Sequence, residues 1–110
     1  NLPVSSTAVR VPTLRSHAIA LSIKFTKSIP SIELVKNLFA DSEGVKVVDD
    51  PQRCIYPMPM TSTYQQDVEV GRIRRNLIYG DYGLDLFVCG DQLLRGAASN
   101  AFEILKLTLG

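Results

Sequence analysis

The run Arg10-Val11-Pro12-Thr13-Leu14-Arg15-Ser16-His17, continued by Ala18-Ile19-Ala20-Leu21-Ser22-Ile23-Lys24-Phe25, decides how the rest of the chain is read. From His17 on the residues alternate. His17, Ile19, Leu21, Ile23 and Phe25 share one face, and Ala18, Ala20, Ser22 and Lys24 share the other. A period of two residues is the mark of a half-buried strand. The single histidine of the chain is thus expected at the mouth of a strand, on the apolar side, where an imidazole is part-shielded and still within reach of a ligand.

Arg10 and His17 stand seven positions apart. In one straight strand that odd separation sends them to opposite faces, about 23 Å from each other at about 3.3 Å per residue. Pro12 argues against a straight run, because it donates no backbone hydrogen bond and holds φ near one value. With a bend there, a guanidinium and an imidazole can converge on one small anion, as a carboxylate fork beside a proton acceptor. The plainer account is an arginine paired with a surface acid and a histidine satisfied by a carbonyl. Spacing alone favours that account, since position in a fold does not establish a site.

Preceded by Val4-Ser5-Ser6-Thr7, the pattern Arg-Val-Pro-x-Leu-Arg-x-His resembles the segment of aspartate-semialdehyde dehydrogenases that carries the substrate-binding arginine and the catalytic histidine. Val70-Gly71-Arg72-Ile73-Arg74-Arg75 and Gly90-Asp91-Gln92-Leu93-Leu94-Arg95-Gly96-Ala97-Ala98-Ser99-Asn100 resemble the same family in the same order. Ala8 departs from it, standing where many members have a cysteine.

The resemblance implies reversible, NADP-dependent reductive dephosphorylation of aspartyl phosphate to aspartate semialdehyde through a cysteine thioester, a step of lysine, threonine and methionine biosynthesis. It gives Arg10 the substrate α-carboxylate, held by two parallel hydrogen bonds, and His17 the role of general acid and base. Gln92 is implied to meet the nicotinamide carboxamide, with Asn100 nearby on the same helix. The chain would be the C-terminal, dimerising part (residues 1–110) of a longer enzyme. The N-terminal nucleotide-binding domain, which supplies most of the NADP site, is absent from it. Neither the Gly-rich phosphate turn nor the asparagine-cysteine nucleophile motif of the family occurs here. Cys54 and Cys89 lack a preceding asparagine and an adjacent histidine, so the chain alone is expected to be inactive. A homodimer through this domain is implied. The related reductase of N-acetylglutamyl phosphate and a non-catalytic dimerisation module of a paralogue are the alternative readings.

Composition sets the outer bounds. A chain of 110 residues is one domain with a core of useful size. A formal net charge of +1 provides no field for nucleic acid or a membrane surface. No apolar run is long enough to span a bilayer, and residues 2–11 lack the regions of a signal peptide. Two cysteines without metal-ligand spacing suggest neither a disulfide framework nor a metal site, and fit a reducing cytoplasm. A first residue of Asn1 rather than methionine suggests that the chain is a segment of something longer.

Along the chain, Ser31 is positioned to cap a helix with Glu33 in its first turn and Ile32, Val35, Leu38 and Phe39 on its apolar side. Gly44 is a natural stop, and residues 45–49 read as a short strand. Pro51, Pro57 and Pro59 argue against regular structure through residues 50–66. Residues 68–76 read as a strand with Val68, Val70, Arg72 and Arg74 on one face and Glu69, Gly71 and Ile73 on the other. Gly80-Asp81-Tyr82-Gly83 turns it into a returning strand in which Leu84, Leu86 and Val88 alternate. Cross-strand pairing of the arginines with acids such as Asp85 and Glu69 is favoured over anion binding. The last helix, capped by Asp91, carries Leu94, Ala97, Ala98, Ala101, Ile104 and Leu105 as its buried stripe. The expected fold class is α+β: a mixed or antiparallel sheet with two helices packed on one face and the other face available for dimerisation.

Overall fold

The alternating stretch forms strand β1, His17–Lys24, in a computed structural model that describes residues 2–109. Asn1, read above as an internal start, and Gly110 lie outside the described residues. Helix α1 spans Ile32–Ala40, and the Ser31 hydroxyl accepts the Leu34 N–H at 3.2 Å as its cap, as expected. Gly44, at φ 75°, turns the chain into β2, Val45–Val47. Only a residue without Cβ takes that conformation at no cost.

β3 spans Val68–Arg75 and β4 spans Gly83–Gly90, and the sheet order is β1-β4-β3-β2. β1 and β3 both run antiparallel to β4, whereas β2 is parallel to β3, so the sheet is mixed. A parallel pair needs a long crossover, which is the work of the proline-containing segment between β2 and β3. That segment is more regular than its prolines suggest. Pro59–Ser62 forms one turn of helix, α2, with Pro59 at the start, where its missing N–H costs nothing.

The face assignment of β3 is corrected by a bulge. Its register against β4 slips between Gly71 and Arg74, and Arg72 takes φ 55°. Asp49 holds the irregularity: its carboxylate accepts the N–H groups of Arg72 at 2.9 Å and Ile73 at 3.3 Å, and Lys36 Nζ lies 2.8 Å away. The extra residue flips the alternation, so Ile73 joins Val70 in the core instead of facing away from it. Arg74 then pairs with Asp85 across the hairpin at 3.3 Å, as expected, while Glu69 takes other partners.

The core consists of Ile29, Val35, Val70, Ile73, Leu84 and Leu86, with Ile23, Ile32, Phe39, Val45, Val47, Val68 and Val88 packed against it. Leu38, assigned above to the apolar side of α1, is 58% exposed. The last helix differs more. A wider helical turn, Leu94–Ala98, leads into α3, Ser99–Leu109, and none of its residues is buried. Ile104 and Leu105 are more than half exposed, and Ala97, Ala98 and Ala101 are exposed too. α1 therefore covers the sheet without α3 beside it, and the apolar stripe of α3 is unfilled within this chain. β1 is exposed along most of its length on both faces.

Candidate functional site around the entrance to β1

Two departures from extended backbone separate Arg10 from His17. The Thr13 N–H donates to the Val11 carbonyl at 2.8 Å, closing a three-residue turn about Pro12, so the expected bend is present. Ser16 then takes φ 74°, left-handed, which costs a residue with a Cβ about 1–3 kcal/mol unless its surroundings hold it there.

The surroundings do hold it. Ser16 is buried, its N–H donates to Gln92 Oε1 at 2.9 Å, and its hydroxyl lies 3.0 Å from Thr63 Oγ1. Before it, Arg15 donates from Nε to Asp91 Oδ2 at 2.7 Å and lays its guanidinium over the Tyr64 ring, 4.2 Å from the centroid. After it, His17 opens β1 opposite Gly90, the last residue of β4. The entrance to β1 and the exit from β4 are therefore one small polar junction.

Asp91 is the most heavily used acceptor there. It is 1% exposed, and it accepts from the Tyr64 N–H (2.8 Å) as well as Arg15 on Oδ2, and from the Leu93 N–H (3.0 Å) on Oδ1. Removal from water by itself pushes the Asp91 carboxyl up. The Tyr64 N–H, the Arg15 guanidinium and the Leu93 N–H outweigh that and hold it below the usual carboxylate range. Below this junction Glu69, 2% exposed, accepts from Thr61 and Ser62.

The four residues singled out in the sequence are not all brought together. His17 is exposed, at the head of β1, and Gln92 is tied to the residue before it. With Oε1 taken by Ser16, the Gln92 Nε2 group still carries two N–H donors, the groups a carboxamide carbonyl accepts from. Asn100 is exposed in the first turn of α3. Arg10 lies in the exposed segment before the Pro12 turn and forms no ion pair among the described residues. Two cavities, of about 540 and 380 Å³, lie beside Phe25 and α1 and beside Tyr56 and Arg74, and none of the four residues lines either.

Arg15, Ser16, Thr63 and Tyr64 were not marked in the sequence, and Asp91 only as a helix cap. It does not cap the helical turn, which begins at Leu94 after Leu93 with no side-chain cap; Oδ1 instead accepts the Leu93 N–H in the turn leading into it. Its pairing with a residue 76 positions away leaves no local signal. Neither cysteine is set up as a nucleophile. Burial, followed by the nearby charge of Glu69, pushes the Cys89 thiol up to about 11 against a weaker opposing hydrogen bond from Ser62. Cys54 is exposed with no ionisable partner among the described residues. No group of three or more histidine, cysteine or acidic residues that could hold a metal occurs among the described residues, and no helix of these is long and apolar enough to cross a membrane.

Known proteins with this sequence and shape agree on one family. The model of the semialdehyde dehydrogenase dimerisation domain matches residues 1–95. The aspartate-semialdehyde dehydrogenase of Synechocystis is 46% identical over 97% of the chain, and that of Bacillus subtilis 38% over 96%. Among solved structures, aspartate semialdehyde dehydrogenase from Francisella tularensis superposes with a TM-score of 0.77 at 35% identity over 92% of the chain. That of the Vibrio cholerae enzyme II complexed with ASA has a TM-score of 0.81 at 27% identity over 91%. The chain spans only 31% of the Synechocystis protein and 28% of the Francisella chain. By family model, sequence and shape alike, this chain belongs to the semialdehyde dehydrogenases and carries their dimerisation domain.

Proposed function

We propose that the chain is the C-terminal substrate and dimerisation part of a cytoplasmic, NADP-dependent aspartate-semialdehyde dehydrogenase. The reaction converts aspartyl phosphate and NADPH to aspartate semialdehyde, phosphate and NADP through a thioester on a cysteine contributed from outside residues 1–110. NADPH, when bound, would supply the hydride and leave as NADP, and most of its site belongs to another domain. His17 takes the proton of that thiol as it attacks the acyl carbon and exchanges a proton with the oxygen of the reduced adduct. Arg10 holds the substrate α-carboxylate through two parallel hydrogen bonds. The Gln92 Nε2 donors orient the nicotinamide carboxamide, and Asn100 lies on the following helix.

One observation carries this reading: the hydrogen bond from Ser16 N–H to Gln92 Oε1, which ties the residue next to His17 to the residue assigned to the cofactor. The apolar residues exposed on β1, Ile19 at 51% and Leu21 at 38%, support pairing of two copies. The test is an NADPH assay of the full-length protein and its His17→Ala variant. Turnover lost in the variant and kept in the parent is expected, and turnover kept in both removes His17 from the chemistry. The 110-residue chain by itself is expected to give no turnover and to scatter light as a dimer.

A further inference from the structure

Asp91 makes more hydrogen bonds than a local turn requires. A turn needs one carboxylate oxygen, and Oδ1 fills that role by accepting the Leu93 N–H two residues on. Oδ2 faces the other way and binds two segments distant in sequence, the Arg15 Nε at 2.7 Å and the Tyr64 N–H at 2.8 Å. Both arms close on Ser16. Arg15 precedes it directly, and Thr63, the neighbour of Tyr64, meets its hydroxyl at 3.0 Å. The residue after Asp91 holds Ser16 from a third side, through Gln92 Oε1 and the Ser16 N–H. Residues 15 and 16 are thus cross-linked one-to-one with residues 91 and 92, just beyond the last strand pair, His17 with Gly90.

The cross-links matter because Ser16 is left-handed. A serine released from its partners relaxes to negative φ, and rotation about φ at residue 16 swings the direction in which the next side chain leaves the backbone. The next side chain is the imidazole of His17. We propose that Asp91 is a positioning residue that sets the His17 imidazole relative to the Gln92 amide by locking Arg15 and Tyr64 around a left-handed Ser16. This rests on the reading of His17 and Gln92 given above. It adds that proton transfer and cofactor orientation are fixed by one shared clamp.

The test uses the full-length enzyme, assayed with aspartate semialdehyde, phosphate and NADP, in Asp91→Asn, Arg15→Gln and His17→Asn variants. Asp91→Asn keeps the size of the side chain and an oxygen for the Leu93 N–H but removes the charge facing Arg15. Arg15→Gln opens the same clamp and leaves the Asp91–Leu93 bond untouched, so it carries the test if the first variant does not fold. Both are expected to lower kcat by about tenfold or more with KM for the semialdehyde changed less than about threefold. Both are also expected to move the histidine-dependent limb of the kcat/KM profile by about half a pH unit or more, because the imidazole sits in altered surroundings. Loss of folded enzyme alone scales that profile without moving it, so profiles superimposable on the parent's overturn the proposal. His17→Asn separates the two claims. If it keeps turnover, the reading of His17 falls and the clamp falls with it. If it is inactive while the clamp variants leave the profile in place, only the positioning role falls.

Discussion

The Glu69 carboxylate accepts the Ser62 hydroxyl at 2.7 Å in a place 2% exposed to solvent. The same oxygen accepts the Thr61 hydroxyl at 2.8 Å, and Lys46 Nζ is 3.7 Å from the other oxygen. A buried acid on β3 therefore fastens the α2 turn that leads to Thr63 and Tyr64. Glu69→Ala leaves the buried Ser62 hydroxyl without its acceptor, while Thr61 keeps the Met58 carbonyl at 3.0 Å, and is expected to destabilise the fold by about 1–3 kcal/mol. A urea midpoint unchanged by the substitution would contradict that account.

The two cysteines should differ sharply in reactivity. Cys54 is exposed, whereas Cys89 is fully buried with its thiol pushed up to about 11 by desolvation and then by Glu69. Labelling with a chromogenic disulfide near neutral pH is expected to modify Cys54 only, with Cys89 following after denaturation. Rapid labelling of a Cys54→Ser variant in its native state would show that Cys89 is not shielded.

Stability should fall at both ends of the pH scale. The Cys89 pKa rises from 9.0 unfolded to about 11 folded, so the folded state keeps its proton longer, and stability present below pH 9.0 declines up to about pH 11. Asp85 and Asp91 titrate in the opposite sense. Asp85 is lowered first by the Asn76 amide, against some desolvation, with help from Ser22 and Arg74. For both acids the stabilisation is present above the unfolded value of about 3.9 and is lost as pH falls through the depressed folded values. Urea midpoints measured across pH should form a plateau between these limits, and Cys89→Ala should flatten the alkaline limb.

Gly71 has no room for a side chain. A Cβ there would collide with the Val48 carbonyl oxygen and lie 2.5 Å from Pro57 Cδ. Both obstacles are backbone or ring atoms, so neither moves aside cheaply. Gly71→Ala is expected to cost about 1–3 kcal/mol, read as a drop in melting temperature. Gly80 offers a contrast, because nothing lies within 4 Å of its Cβ position and only its φ of 54° resists substitution. Gly80→Ala should cost less than Gly71→Ala.

Arg10→Lys tests the carboxylate fork in the full-length enzyme. Lysine keeps the charge but not the paired geometry, so apparent substrate affinity should fall by about tenfold or more. A KM unchanged from the parent would place the carboxylate elsewhere.

Much of the fold was legible because it rests on local rules. Alternation marks β1 and β4, the Ser31 hydroxyl caps α1, and Gly44 and Gly80 stand where φ is positive. The facing of β3 was not, because its bulge depends on a carboxylate more than twenty positions earlier, at the start of the crossover: Asp49 reaches Arg72 and Ile73. Nor was the exposure of α3. Its apolar spacing says that some surface must cover it, and no such surface is supplied by the sheet of this chain.

The sequence by itself determined the four strands, helix α1 and the last helix, the α+β class and the residue types at the entrance to β1, since periodicity, capping and the motif around His17 are properties of neighbouring residues. Only the tertiary structure decided that Arg15 is tied to Asp91 while Arg10 stays in the exposed segment, and that Ser16 meets Gln92 and Thr63. Those partners are separated by 76 and 47 positions, and hydrogen bonds form between atoms that pairing of β1 with β4 and packing of α2 against β4 bring within reach, whatever their distance along the chain.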